Sequence, residues 1–224
     1  MNESPSFDEL RSGFTAAVSH ELRTPLARIL ALLDSADLPD ADVRALIDQA
    51  RAEVEDAGAL IDDILFLSEL ESGKEVVSLG ETAAVPVLEE VVRSAEDSAA
   101  RAGVALRVEG DSSVDVPLRP RMLRIVAENL VENAIRYAGH LSTFTFVVEP
   151  GSITARDDGA GVAEGDLPRL FERFYRADAA RSSRGSGLGL AIVKHIVGAT
   201  GGTAEARSGT GAGLEIRLLF PPRA

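Results

Sequence analysis

His20 stands in the run SHELRTPL, with Glu21 beside it and Thr24 four residues on. On a helix, residues at i+3 and i+4 are surface neighbours, and His20 lies about 200° around the axis from both Val18 and Leu22. Its imidazole therefore projects away from an apolar stripe. A neutral ring nitrogen as nucleophile, a carboxylate to take or orient the ring proton and a hydroxyl one turn away to place water are what phosphoryl acceptance by a histidine needs. Pro25, inside the same predicted helix, removes a backbone hydrogen bond and predicts a kink next to the histidine. A lone histidine on a helix is ordinarily surface, so His20 gains weight only from motifs elsewhere in the chain.

Three more constellations carry chemistry. In ENLVENAIRYA, Asn129, Asn133 and Arg136 recur at i, i+4 and i+7 on one face, while Leu123, Ala127, Leu130 and Ala134 take another. Asparagine competes for backbone hydrogen bonds and is a poor choice for a merely solvated helix face. Two of them on one face suggest uncharged oxygen ligands for a hard cation such as Mg²⁺, with Arg136 available to a phosphate. In ARDDGAGV, Asp157, Gly159 and Gly161 follow a β run, a spacing that a plain β-turn would also explain. In RGSGLGLAIVKHIV, Gly185, Gly187 and Gly189, with Leu188 between the last two, precede a helix whose first amides could take an anion. The spacing GxGxG and the lack of a strand leading into it argue against a dinucleotide fold.

The elements that must hold these groups fall into two classes. From Val43 the series Val43, Ile47, Ala50, Val54, Ala57, Ile61, Ile64, Ser68 steps by 4 and 3, a coiled-coil-type seam. Phe7, Phe14, Val18, Leu22, Leu26, Ile29 and Leu33 form a similar, less regular stripe upstream, and 35–40 with Pro39 breaks the helix between them. Two antiparallel helices of about 30 residues, each about 45 Å long, are the result. Two helices cannot enclose a core, so the seam predicts a partner, most simply a second copy in a four-helix bundle; packing of the hairpin on its own second domain is the alternative. Beyond Ser72 the pattern mixes helices over 84–102, 120–137 and 187–199 and a short one near 166–173 with strands near 104–109, 114–117, 142–148, 152–157, 203–207 and 213–219. The strands are not joined by regular crossovers, which favours an α+β sandwich over a doubly wound sheet. The expected division is a hairpin over 1–72, a linker over 73–82 and a second domain over 83–224.

Charge follows the same division. The chain of 224 residues has a formal charge of −13, and residues 1–72 hold 16 acidic and 5 basic side chains. The remainder is nearly neutral, yet Arg169, Arg173, Arg176, Arg181, Arg184 and Lys194 face only Glu172 and Asp178, a local +4 suited to a polyphosphate. The acidic total argues against nucleic acid as a partner. Without cysteine, disulfide scaffolds, thiolate metal sites and cysteine nucleophiles are excluded. No apolar run is long enough to span a membrane and no signal pattern opens the chain, so no membrane contact is expected within this segment.

Taken in order, the motifs resemble the cytoplasmic kinase core of a bacterial two-component sensor histidine kinase of the HisKA type. SHELRTPL resembles the H box, ENLVENAIRYA the N box, DDGAGV the first glycine box, LFERFYRAD the F box and GSGLGLAI the second glycine box, and together they cover nearly the whole chain. The resemblance implies a dimeric four-helix bundle followed by the α/β sandwich shared with gyrase, Hsp90 and MutL ATPases. It implies transfer of the ATP γ-phosphate to His20 and onward to an aspartate of a response-regulator receiver domain, with Mg²⁺ as cofactor and a cytoplasmic location, here possible as the inner portion of a membrane-bound sensor.

By the same resemblance, Asn133 is the Mg²⁺ ligand and Asn129 faces the same metal and phosphate region. Arg136 reaches the phosphates, Tyr137 stacks near the adenine, and Asp157 accepts from the adenine amino group with Gly159 and Gly161 allowing close approach. Arg176 contacts a phosphate, Gly185, Gly187 and Gly189 lie at the phosphate tail, and 177–184 is a short mobile lid. Glu21 is the base or orienter for His20, and Thr24 places water when the phosphorylated regulator is dephosphorylated. The division of charge at residue 72 predicts that the acidic hairpin flank docks a regulator with complementary basic residues. A scaffold that binds a regulator without phosphorylating it, and an ATPase or serine kinase of the same superfamily, are the competing readings.

Overall fold

The computed structural model describes residues 7–72, 80–177, 185–208 and 211–221. It divides into two compact units, one ending at Ser68 and the other beginning at Glu69.

The first unit is a helical hairpin. Helix α1 runs over Phe7–Ala36 and α2 over Val43–Glu71, with α1 continuing through Pro25. Asp42 opens α2 by accepting the amide of Ala45 at 3.0 Å on its side chain, the usual device for satisfying a first-turn N–H. Glu53, Leu60 and Leu67 are buried along α2 at heptad spacing, and Arg28 of α1 reaches the Glu53 carboxylate at 3.6 Å. Both residues of that pair lie a similar distance from the turn, as antiparallel helices require. One polar partner in an apolar seam favours a single register.

The buried row Glu53, Leu60, Leu67 lies beside the predicted seam, not in it: Val43, Ile47, Val54 and Ile61 of that seam, with Leu65 of α2 and Leu26, Leu30 and Leu33 of α1, stand 44–62% exposed. Leu26 and Leu33, expected in one stripe with Val18, Leu22 and Ile29, therefore lie on the outer face. The side chains of Phe7 and Phe14 fall outside the described residues.

The second unit is an α+β sandwich. A short antiparallel pair, β1 (Thr82–Ala83) with β3 (Asp115–Val116), leads into α3 (Ala84–Ala102). The main sheet contains β2 (Val104–Gly110), β4 (Ser142–Glu149), β5 (Ser152–Asp157), β6 (Thr203–Ser208) and β7 (Leu214–Leu219) in the order β2-β4-β5-β7-β6. Among the described strands only β2 and β4 pair in parallel. Helices α4 (Pro120–Tyr137) and α5 (Gly189–Ala199) complete the layer, with α4 packed between α3 and α5.

Register explains the core. Val108, Phe146, Ala155, Ile216 and Ala206 lie in one row across the five strands, and Leu106, Phe144 and Asp157 in the next. Side chains in a strand alternate between faces, so Phe144, Phe146 and Val148 enter the core, with the first two rings edge to face at 4.8 Å. The adjacent row on the opposite face reads Arg107, Thr145, Arg156, Glu215, Arg207. Against the inner face, α4 buries Met122, Leu123, Val126, Ala127, Leu130, Val131 and Ala134.

Three expected elements differ for local reasons. The strand near 114–117 is reduced to two residues because Pro117 has no amide to donate. The helix near 166–173 is only a 3-10 turn at Leu167–Arg169, since Phe174 is in the left-handed region (φ 60) and gives its amide to Gly187. Helix α5 begins at Gly189 rather than 187 because Gly185 (φ 143) and Gly187 (φ 69) cannot be helical.

Candidate functional site

Helix α4 presents its polar face to the glycine segment that opens α5. The Nδ2 of Asn129 donates to the Ile125 carbonyl one turn back at 2.8 Å, which leaves Oδ1 aimed at the start of α5. A Cβ added to Gly189 would collide with that oxygen. One turn on, Asn133 is half-buried on the same face. A Cβ at Gly185 would lie 2.5 Å from the Arg136 guanidinium and 3.1 Å from the Tyr137 hydroxyl. Arg136 also faces Glu132 at 4.0 Å, a loose i,i+4 pair. Asn129, Arg136 and Tyr137 are thereby brought against Gly185 and Gly189; a Cβ at either position would push one of these side-chain ends aside, and the backbone of Gly185 (φ 143) favours glycine in its own right.

Gly187 is hemmed in from the other direction. Its Cβ would stand 2.9 Å from both the Cα and carbonyl carbon of Phe174 and 3.0 Å from the Tyr175 carbonyl oxygen. Phe174 donates its amide to the Gly187 carbonyl at 3.0 Å while holding a left-handed backbone, a conformation that costs a non-glycine residue about 1–3 kcal/mol. Leu188, fully buried at the N-cap of α5, donates its amide to the Ser186 hydroxyl oxygen at 3.2 Å. The free amides of the first turn of α5 thus open onto the Asn129 face, an arrangement suited to an anion. Arg176 follows Tyr175 and is half-buried.

The C-terminal end of α4 packs against the loop that leaves β5. Asp157 lies in the core-facing row of the sheet, and its Oδ1 accepts the amides of Gly159 (2.9 Å) and Leu214 (3.3 Å). Two backbone donors fix one oxygen and leave the other for a ligand. Burial raises the Asp157 pKa above its ordinary value; the two amides pull it down and neighbouring Asp158 pushes it up. Gly159 is required by close approach, since its Cβ would meet the backbone of Ala138 at the end of α4. Gly161 is required by conformation (φ 73). Asp158 ties this loop to β4 by accepting the Thr143 amide at 2.6 Å.

Sequence reasoning missed Ala138, Gly213 and the Leu214 amide. Gly213 (φ 73) would place a Cβ on the Asp157 carbonyl, and its own amide donates to the Gly159 carbonyl at 3.1 Å. The Gly211-x-Gly213 spacing just before the last strand was the available signal. Of the basic cluster, Arg181 and Arg184 fall outside the described residues, as does the expected 177–184 segment from residue 178 on.

His20 lies on α1 in the other unit. It is exposed, Glu21 is half-buried, and the Thr24 hydroxyl donates back to the His20 carbonyl at 3.4 Å. Among the described residues no helix is long and apolar enough to cross a membrane.

Residues 10–73 match the family described as His Kinase A (phospho-acceptor) domain, and residues 119–224 match the Histidine kinase-, DNA gyrase B-, and HSP90-like ATPase family. The chain is 34% identical over 221 residues to the sensor-like histidine kinase SenX3 of Mycobacterium tuberculosis, covering 94% of this chain and 54% of that protein. It therefore spans about half the length of such relatives. Among solved structures, the Acinetobacter baumannii histidine kinase AdeS superposes with a TM-score of 0.72 at 25% identity, covering 91% of this chain and 98% of that one. The histidine kinase ThkA, solved in complex with the response regulator protein TrrA, shares the fold with a TM-score of 0.73 at 20% identity, over 94% of this chain and 61% of that one. The motifs, the two matched domains and the shared fold agree, and the chain belongs to the sensor histidine kinases of two-component signalling, of which it comprises the phospho-acceptor hairpin and the ATPase domain.

Proposed function

We propose that this chain binds Mg·ATP on the α4 face, transfers the γ-phosphoryl group to His20 and passes it on to an aspartate of a response-regulator receiver domain. The observation that carries the reading is the convergence of Asn129, Arg136 and Tyr137 on Gly185 and Gly189, with Asp157 fixed by backbone amides in the loop that packs on Ala138. The free oxygen of Asp157 accepts from the exocyclic amine of adenine, and Tyr137 lies beside the base. The amides of the first turn of α5 and the guanidinium groups of Arg136 and Arg176 hold the phosphates. Asn129 and Asn133 supply neutral oxygens, a donor set that fits a hard cation shared with phosphate oxygens. Bound there, Mg²⁺ offsets charge on the phosphates during transfer.

In the transfer, a neutral ring nitrogen of His20 forms a bond to the γ-phosphorus. The bond to the bridging oxygen breaks and its electron pair leaves on ADP. Glu21 takes or orients the ring proton. The same hairpin then offers phospho-His20 to the regulator, and Thr24, one turn on, places water for hydrolysis of the regulator's acyl phosphate. The exposed apolar face of α1 and α2 supports a homodimer, and the ThkA complex with TrrA supports a receiver domain as partner. The acidic hairpin favours a regulator with a basic docking face.

Incubation with γ-labelled ATP tests the reading. The expected label is acid-labile, alkali-stable and absent in His20→Gln. Acid-stable label would point to a serine kinase, and nucleotide binding with no label to a scaffold; either refutes the proposal.

A further inference from the structure

Gly187 lies between two glycines that face α4, yet its own neighbours are Phe174 and Tyr175, and the described structure holds Tyr175 firmly. The hydroxyl of Tyr175 donates to Asp166 Oδ1 at 2.5 Å. The guanidinium of Arg169 lies 4.1 Å from the centre of the Tyr175 ring, and its Nε donates to Glu172 at 3.2 Å. The Tyr175 amide donates to the Glu172 carbonyl at 3.3 Å. Tyr175 is thus held at its backbone, its ring face and its hydroxyl, all by residues of the 166–172 segment. Its carbonyl and the backbone of Phe174 are the atoms that Gly187 packs against, and the Phe174 amide is bonded to the Gly187 carbonyl.

We propose that Tyr175, clamped by Asp166 and Arg169, is a positioning residue for nucleotide: it holds the left-handed Phe174 against Gly187 and so sets the α5 amides and Arg176 in place for the phosphates. This rests on the reading of the α4 face as an ATP site. A left-handed residue other than glycine persists only where its surroundings over-determine it, and such residues cluster at binding sites. Releasing the hydroxyl lets Phe174 relax toward an ordinary backbone and the Gly187 turn follow it. The loss then falls on nucleotide affinity rather than on the phosphoryl-transfer step.

The test is Tyr175→Phe, which removes the hydroxyl and keeps the ring under Arg169. The Kd for a Mg-complexed non-hydrolysable ATP analogue, measured by calorimetry on the full chain, is expected to rise about tenfold, or about 1.4 kcal/mol, within reach of one hydrogen bond to a charged acceptor. KM for ATP in His20 labelling rises by the same factor, and kcat at saturating ATP stays within about twofold. Asp166→Asn, which keeps an acceptor oxygen, loses less than Tyr175→Phe. Analogue affinity within about twofold of wild type in both variants overturns the proposal, including where their melting temperatures fall, since that marks a purely structural role. Should Tyr175→Phe not fold, Asp166→Ala, which leaves the Tyr175 hydroxyl without this acceptor, decides by the same criterion. A wild-type chain that does not bind the analogue sinks the ATP-site reading itself, a result distinct from failure of the clamp.

Discussion

Asp157→Asn separates recognition of the base from support of the fold. The Oδ1 of Asp157 holds the amides of Gly159 and Leu214 at 2.9 and 3.3 Å, and an asparagine Oδ1 can accept both. The loop that carries Gly159 and Gly161 should therefore survive. What changes is the other half of the side chain, where a carboxylate oxygen becomes an amide donor facing the donor amine of adenine. Losing a hydrogen bond to a charged acceptor removes about 1.5–3 kcal/mol, and leaving a buried donor unpaired adds about 1–3 kcal/mol. With part of that recovered by water, the affinity for ATP should fall at least about 100-fold. Inosine triphosphate, which presents a carbonyl where adenine presents an amine, should gain relative to ATP, and in the variant it should become the preferred nucleotide. Competition calorimetry against a non-hydrolysable ATP analogue reads both numbers.

The pKa of Asp157 adds two arms to the same experiment. Burial raises it above the ordinary aspartate value, and the ionised form is the stronger acceptor for adenine. ATP affinity of the wild type should accordingly weaken as pH falls through that raised pKa, earlier than an exposed aspartate would allow, while the variant is flat in this range. For stability, the native state holds this proton more tightly than the unfolded chain. The proton-linked contribution is then fully present in acid and is lost as pH rises from the ordinary aspartate value through the raised one. At neutral pH the buried charge is a net cost, so Asp157→Asn should melt no lower than wild type at pH 7 and lose any advantage in acid. An ATP affinity within about threefold of wild type, or no change in the preference between the two nucleotides, refutes the assignment of Asp157 to the base.

Two other predictions test separate parts of the molecule. Ile47→Glu with Val54→Glu puts charges on the exposed seam of α2, and sedimentation should shift from a dimer of about 47 kDa, twice the 23.6 kDa chain, to the monomer; a dimer that persists shows that the seam is not the interface. Gly159→Ala has an ordinary φ but would drive a Cβ into the Ala138 backbone, so analogue binding should drop at least about tenfold with β4 and β5 still paired; unimpaired binding would show that α4 and the glycine loop can separate freely.

Which parts of this site can be read from sequence depends on the range over which each is determined. Helix α4 is legible to the residue because its apolar set, Leu123 to Ala134, repeats at helical spacing and Pro120 sits at its first turn, both local signals. The glycines are legible as motifs, yet their reasons are distant: Gly159 is excluded from a side chain by the backbone of Ala138 and Gly187 by that of Phe174, while Gly189 lies against the Asn129 side chain. Nothing in a window around residue 187 announces residue 174. The same holds for the failed helix near 166–173, whose residues are acceptable in a helix but whose next amide, that of Phe174, is claimed by Gly187. Asp157 shows the limit most clearly. Its motif suggests a turn or a site with equal force, and the choice is made by Leu214, 57 residues away, donating to the oxygen that a simple turn would have left to Gly159 alone. The seam of α2 fails in the opposite way: the row buried along the helix, Glu53, Leu60 and Leu67, lies beside the regular stripe rather than in it, while Val43, Ile47, Val54 and Ile61 of that stripe stand exposed. An apolar face about 100° wide has edges that face different neighbours, so periodicity can give a stripe's existence and not which edge the hairpin covers. The buried Glu53 against Arg28, a charged residue that no apolar pattern would select, marks the covered edge.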